Sequence, residues 1–297
     1  MQKISLSYQH QRLDLYPSLG AATACYYMEI QGKVYHFLRP TPEKALLQNN
    51  IEETANFLMA PWAGRIQNGQ FTYEGKHIHY PSKIKDFAHS MHGFARDMEW
   101  IVIDHCSHTA HLKLHYQKTQ EWPFSFKIEQ IYTLTDKGLS IQVMVENTGD
   151  TVMPFSMGYH PFFPCDSETR LYANVQKAWY SDEELMPTHL GDHPLVHQLS
   201  QGFRVQDTPW DIILTGWDKQ VFIQWADRQL RYEVSSPFDF LVLYNPRGKE
   251  WFCAEPFGNI TDSFNLRQRF PREQIGGMDM KPAQVVTATV YLMPEVY

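Results

Sequence analysis

Three side chains in this 297-residue sequence have the type and setting to move protons. His92 stands in His92-Gly93-Phe94-Ala95-Arg96, where glycine lets the backbone turn sharply after the imidazole. His160 follows Gly158-Tyr159 and precedes Pro161, so an imidazole is fixed at the end of an otherwise apolar strand. Glu255 lies between Trp251-Phe-Cys-Ala and Pro256-Phe257. A carboxylate in so apolar a run is either paired or functional, because an unpaired buried charge is costly. Burial would raise its pKa toward that of a useful general base, and an imidazole suits either side of a proton transfer. Two histidines and one glutamate at strand edges therefore suit acid/base chemistry on a neutral polyol. Plainer readings stand beside these: His92 as a surface histidine in a glycine loop, Glu255 as half of a salt bridge.

The remaining clusters read as structure. His105, His108, His111 and His115 change register on a strand, and His111-Leu-Lys-Leu-His115 puts polar residues outward and leucines inward. His77 and His79 share one strand face; a solvated face is the simpler reading than a metal pair. His189, His193 and His197 have helical spacing, but Pro187 and Pro194 argue against a continuous helix. The four cysteines, Cys25, Cys106, Cys165 and Cys253, are scattered without paired metal-type spacing and read as reduced, mostly buried thiols. The sequence has no Gly-x-Gly-x-x-Gly, P-loop or Gly-x-Ser-x-Gly motif, which disfavours a nucleotide-dependent enzyme or a serine hydrolase.

The elements that must position these residues are short strands. Ala22 to Ile30 and Lys33 to Phe37 flank a two-residue turn at Gln31-Gly32, and Glu74-Gly75 joins Gln70–Tyr73 to Lys76–Tyr80. Phe126 to Thr135 and Leu139 to Glu146, joined at Asp136-Lys-Gly138, alternate apolar and polar residues on both sides of the turn. Further strands are expected at 100–104, 111–116, 211–215, 220–225, 230–234, 240–244 and 284–292, with helical composition confined to part of 41–58. No helical pattern reaches fifteen residues and no internal repeat is evident. The expectation is an all-β protein, a large antiparallel β-sandwich forming one domain over residues 1–297.

Bulk composition narrows the partners. Hydrophobic residues at 43% and charged residues at 20% fit a soluble globular chain, and a net charge of -7 argues against nucleic-acid or anionic-membrane surfaces. The N-terminus lacks the apolar core of a signal peptide and no run of about 18 apolar residues occurs, so a cytoplasmic protein without a membrane span is expected.

With these residues in view, the sequence resembles the aldose 1-epimerases, the galactose mutarotase-like proteins, from about Asn56 to Leu292. Gly64-Arg65-Ile-Gln-Asn-Gly69-Gln-Phe71 resembles the family's Asn-Arg-Ile-x-x-Gly-x-Phe, with glycine in place of asparagine. His92-Gly-Phe and Gly158-Tyr-His160-Pro-Phe-Phe resemble its two histidine motifs, and Cys253-Ala-Glu255-Pro its glutamate segment. The wording His-Gly-Phe-Ala-Arg-Asp and Glu-Pro-Phe-Gly-x-x-x-Asp-Ser is most similar to a shorter bacterial branch. The resemblance implies a β-supersandwich with an open sugar cleft, no metal and no cofactor, acting as monomer or homodimer on a small sugar. It further implies Glu255 as general base, His160 as general acid, His92 as a hydrogen-bonding partner near the reacting centre, and Arg65 on ring hydroxyls. The sugar-binding aspartate aligns to Asp211, with Asp218 as the fallback. Trp62, Phe94, Phe162 and Trp217 are candidates to line the cleft, although core packing is the usual fate of such rings. The implied reaction is anomeric interconversion of a free hexose such as galactose or glucose. Alternatives are a hexose-6-phosphate mutarotase, with Arg96 and Arg65 binding phosphate, and a non-catalytic carbohydrate-binding protein.

Overall fold

The hairpin with the strictest sequence alternation lies at the centre of the architecture. In the computed structural model, which describes residues 2–206 and 208–297, Phe126–Thr135 and Gly138–Asn147 pair antiparallel with Ile128 opposite Val145 and Tyr132 opposite Ile141. Every second residue of Phe126–Thr135 is buried, as a strand with one core face and one wetter face requires. Seven more strands extend this hairpin into a nine-stranded sheet, with Ile101–His105 at one edge and Phe203–Arg204 at the other. Val285–Val296 joins the hairpin to Arg228–Val234 at its middle.

A second, eight-stranded sheet carries Asp211 and Glu255 and is flanked by His160. Its order runs Pro187–Gly191, Lys177–Ser181, Asp211–Thr215, Phe240–Tyr244, Trp251–Phe257, Gly158–Tyr159 and Leu58–Met59, with Phe162–Pro164 also pairing to Trp251–Phe257. Its inward residues, among them Leu214, Leu241, Leu243, Phe163 and Ala254, share one apolar core with Val143, Ile223, Leu230 and Val290 of the nine-stranded sheet. Two packed antiparallel sheets are the expected sandwich, and a four-stranded sheet from Ile4–Tyr8 to Lys33–Leu38 adds to it.

The opposite face of the eight-stranded sheet is not given to water. Ile213, Val242, Cys253 and Phe257 belong to a second apolar cluster with Met59, Phe162 and Trp179. Burial on both faces explains why Phe240–Tyr244 reads as an unbroken apolar run, and Trp251–Phe257 as one interrupted only by Glu255, rather than as alternating strands.

The turns at Gln31-Gly32 and Glu74-Gly75 both have two successive residues at positive φ, as tight hairpins demand. The short helical stretch expected within 41–58 is a helix at Glu43–Leu47, with Pro42 at its N-cap, followed by a 3-10 turn at Ile51–Glu53. Pro194 does break the histidine series, but by starting a helix. His189 lies on a strand, His193 caps Pro194–Gln201 by accepting from the Leu195 amide, and proline at the first turn costs no hydrogen bond. Among the described residues, no helix is long and apolar enough to cross a membrane.

Candidate active site

Strand parity selects which residues of the eight-stranded sheet meet one another. Direct cross-strand partners share a face, and the register pairs Asp211 with Tyr244, Ile213 with Val242, and Val242 with Glu255. Two-residue steps then carry Asp211, Ile213, Val242, Tyr244, Glu255 and Phe257 to the same side. All six line one cavity of about 400 Å³, which His92, His160, Arg65 and Glu52 complete.

His160 enters from the strand end after Gly158–Tyr159, its amide bonded to the Phe57 carbonyl at 3.0 Å. Its ring stacks on Phe162 at 4.5 Å and on Phe57 at 4.9 Å, which leaves the imidazole little rotational freedom. Nε2 lies 3.5 Å from Glu255 Oε2, with His160 only 6% and Glu255 only 2% exposed. His92 stands at right angles to His160, ring centres 5.3 Å apart.

His92 and Gly93 both have positive φ, and a Cβ on Gly93 would lie 2.0 Å from the Ala60 carbonyl oxygen. Glycine is thus required at 93 by a close backbone approach, and that approach aims His92 into the cavity. The Gly64 amide donates to His92 Nδ1 at 3.3 Å. An accepting Nδ1 leaves the proton of the neutral ring on Nε2, so His92 offers the cavity a donor. Arg65 lies across from Met91 in a two-residue pairing beside His92, and its Nη2 is 3.4 Å from Asp211 Oδ2.

Burial sets the protonation of this group. It raises the Glu255 pKa well above 4.5, reinforced by the nearby Asp211 and Glu52 carboxylates and opposed by Arg65. Burial, with the Arg96 and Arg39 guanidiniums, pushes His160 down to about 3, and His92 is lowered for similar reasons. His160 Nδ1 and Glu255 Oε2 are buried without a hydrogen-bond partner. Such orphaned atoms mark places where a bound polar molecule gains contacts. Burial thus disfavours the charged form of both groups, 3.5 Å apart.

His160, Cys253 and Glu255 also bring a nitrogen, a sulfur and an oxygen within 4.8 Å of one another. Burial pushes the Cys253 thiol pKa well up.

Residues 23–277 match the family model for aldose 1-epimerase. The chain belongs to the aldose 1-epimerase family. It is similar to the uncharacterized protein YphB of Escherichia coli (strain K12), 25% identical over 229 residues that span 69% of this chain and 73% of that protein. Among solved structures, a galactose mutarotase-like protein from Clostridium acetobutylicum has a TM-score of 0.89 at 22% identity, covering 99% of this chain and 95% of that one. The galactose 1-epimerase of Lactobacillus acidophilus NCFM has a TM-score of 0.78 at 16% identity, covering 99% and 94%. At these identities the likeness is one of fold.

Within this family member, five of the six anticipated site residues line the cavity: His92, His160, Glu255, Arg65 and Asp211. Arg96 does not. Its side chain is 8% exposed and bonds Glu52 Oε1 at 2.6 Å, behind the cavity wall. Asp218 lies elsewhere, bonded to Asn174 and the Gln220 amide. Trp62 and Phe94 pack into an aromatic cluster with Tyr80 and Trp122, Trp217 is buried with its indole on the Gln220 carbonyl, and Phe162 supports His160.

Several contributors were not singled out as site residues in the sequence, although Asp262 is the Asp of Glu-Pro-Phe-Gly-x-x-x-Asp-Ser. Glu52 lines the cavity from a 3-10 turn gripped by Arg39, whose guanidinium bonds the Glu52 and Thr54 carbonyls and sits 3.6 Å from the Phe162 ring centre. Asn259 clamps both the amide and carbonyl of Ala63, and Asp262 bonds the Gln67 amide; together they hold the Arg65 segment from either side.

Proposed function

We propose that this protein is an aldose 1-epimerase interconverting the α and β anomers of a free hexose such as galactose or glucose. The observation carrying this reading is the buried Glu255–His160 pair, 3.5 Å apart at the wall of a sugar-sized cavity. The two oxygens of a cyclic hemiacetal share one carbon, so an acid and a base this close can each reach one of them. Glu255 in its ionised form takes the proton from the anomeric hydroxyl while His160, protonated at Nε2, gives one to the ring oxygen. The ring opens, the aldehyde turns its other face, and closure runs the transfers in reverse.

Starting from an uncharged pair, the productive form needs only the shared proton to sit on His160 and the negative charge on Glu255. Arg65, which lowers the Glu255 pKa, favours that arrangement. His92 donates from Nε2 to an oxygen near the reacting centre, and the Arg65–Asp211 pair offers a donor and an acceptor for ring hydroxyls. The reaction already proceeds in water, so acid and base contributions of about 100- to 10,000-fold each are sufficient.

Polarimetry of freshly dissolved α-D-galactose and α-D-glucose tests the reading. Faster relaxation with catalytic amounts of protein is the expected result; an unchanged rate for both sugars and for a wider panel of free aldoses would leave a binding protein instead.

A further inference from the structure

Among the described residues, Glu52 is the one charged side chain in the wall between this cavity and its neighbour. A second hollow of about 230 Å³ adjoins the first, and the two share Glu52, Ile84 and Met91 as a common wall. The second hollow holds two cations, Arg96 and Lys83. Neither is free: Arg96 bonds Glu52 at 2.6 Å, and Lys83 lies 3.2 Å from Asp97. On the first side of the wall the lining cation, Arg65, is matched by Asp211.

We propose that Glu52 is a specificity-determining residue that makes the site reject phosphorylated sugars. This rests on the aldose 1-epimerase reading and names its substrate class as uncharged aldoses. Glu52 acts in two ways at once. Its carboxylate, with a side chain 46% exposed, presents negative charge to whatever occupies the cavity. It also occupies the guanidinium that a phosphate would otherwise take, since an arginine fork suits carboxylate and phosphate equally. Its position is not a loose surface placement. Arg39 holds its carbonyl at 2.6 Å, Asn50 accepts from its amide, and Arg96 holds its head group.

The prediction is a gain of function. Glu52→Gln keeps the size and can still accept a hydrogen bond from Arg96, but removes the charge. The ratio of kcat/KM for glucose 6-phosphate to that for glucose should rise at least about tenfold, because the like charge facing the phosphate is gone. Adding Arg96→Met to Glu52→Gln should abolish the gain, which a general loosening of the wall would not predict. Calorimetry with glucose 6-phosphate and with inorganic phosphate reads the same effect without turnover: no binding to the wild type, measurable binding to Glu52→Gln. That arm stands even if no free sugar is turned over, which would count against the enzymatic reading alone. A wild type that handles glucose 6-phosphate as well as glucose would overturn the proposal. So would an unchanged ratio and no phosphate binding in both folded Glu52→Gln and Glu52→Ala.

Discussion

Glu255 and His160 are costly residues for this fold, and their cost has a sign. The folded protein keeps a proton on Glu255 that the unfolded chain releases above about its ordinary 4.5, so this group subtracts stability as pH rises past that value. His160 works the other way. The unfolded chain takes up a proton below 6.5 that the folded protein refuses until about 3, so stability falls as pH drops through that window. Between 4.5 and 6.5 the two effects act in opposite directions. Glu255→Gln should therefore flatten the loss of stability on the alkaline side, and His160→Asn the loss on the acid side. Urea midpoints measured from about pH 3 to pH 9 would read both. In the same folded variants, kcat for a free hexose should drop about 100- to 10,000-fold; near-normal turnover in either would remove the role assigned to that residue.

At the scale of elements, the site depends on backbone approaches more than on side-chain count. The bridge between Ala60 and Gly93 and the bonds from Phe94 and Ala95 to the Ala60 carbonyl fold the His92 loop against the start of the Arg65 segment. Gly93→Ala forces a methyl group into that carbonyl and puts alanine at positive φ. Strain of this kind costs about 1–3 kcal/mol, and the loop must also shift to relieve the clash. A lowered melting temperature accompanied by a fall in kcat is expected, because the displaced residue is His92's neighbour. A stability loss with full activity would show that His92 need not be held so tightly. Much of this layer was legible: the glycine turn after His92 and the strand ends around His160 and Glu255 are written in the local sequence. The Glu52 turn was not, since Ile51-Glu-Glu53 reads as an ordinary polar stretch until Arg39 and Arg96 close on it.

For the whole molecule, net charge and site charge point the same way. The chain carries -7, and the cations facing the cavity and its neighbouring hollow are each matched by a carboxylate. An uncharged substrate feels no long-range pull from such a field. The kcat/KM for a free hexose should accordingly stay within about twofold between low and physiological ionic strength, where the Debye length shortens to about 8 Å. Stopped-flow polarimetry across a salt series checks this. A steep salt dependence would mean that the molecule being recognised is charged.

By itself the sequence determined the sandwich and singled out the candidate proton-handling groups. Alternation in Phe126–Thr135 and Gly138–Asn147 is a local property, because a strand with one wet face must alternate. His92, His160 and Glu255 stand out because each is polar or ionisable in glycine-rich or apolar surroundings. Tertiary structure alone decided what those groups do to one another. Asp211 and Asp218 are seven residues apart and similar in composition around them, yet strand register sends Asp211 to the face of Glu255 and leaves Asp218 at a turn. Arg96 sits within a recognisable motif, but its role depends on a carboxylate 44 residues earlier in the chain. The protonation of Glu255 and His160 likewise follows from burial on a two-sided sheet and from guanidiniums brought in by distant segments. Charge, desolvation and contact are set by distance in space, and separation along the chain carries little information about it.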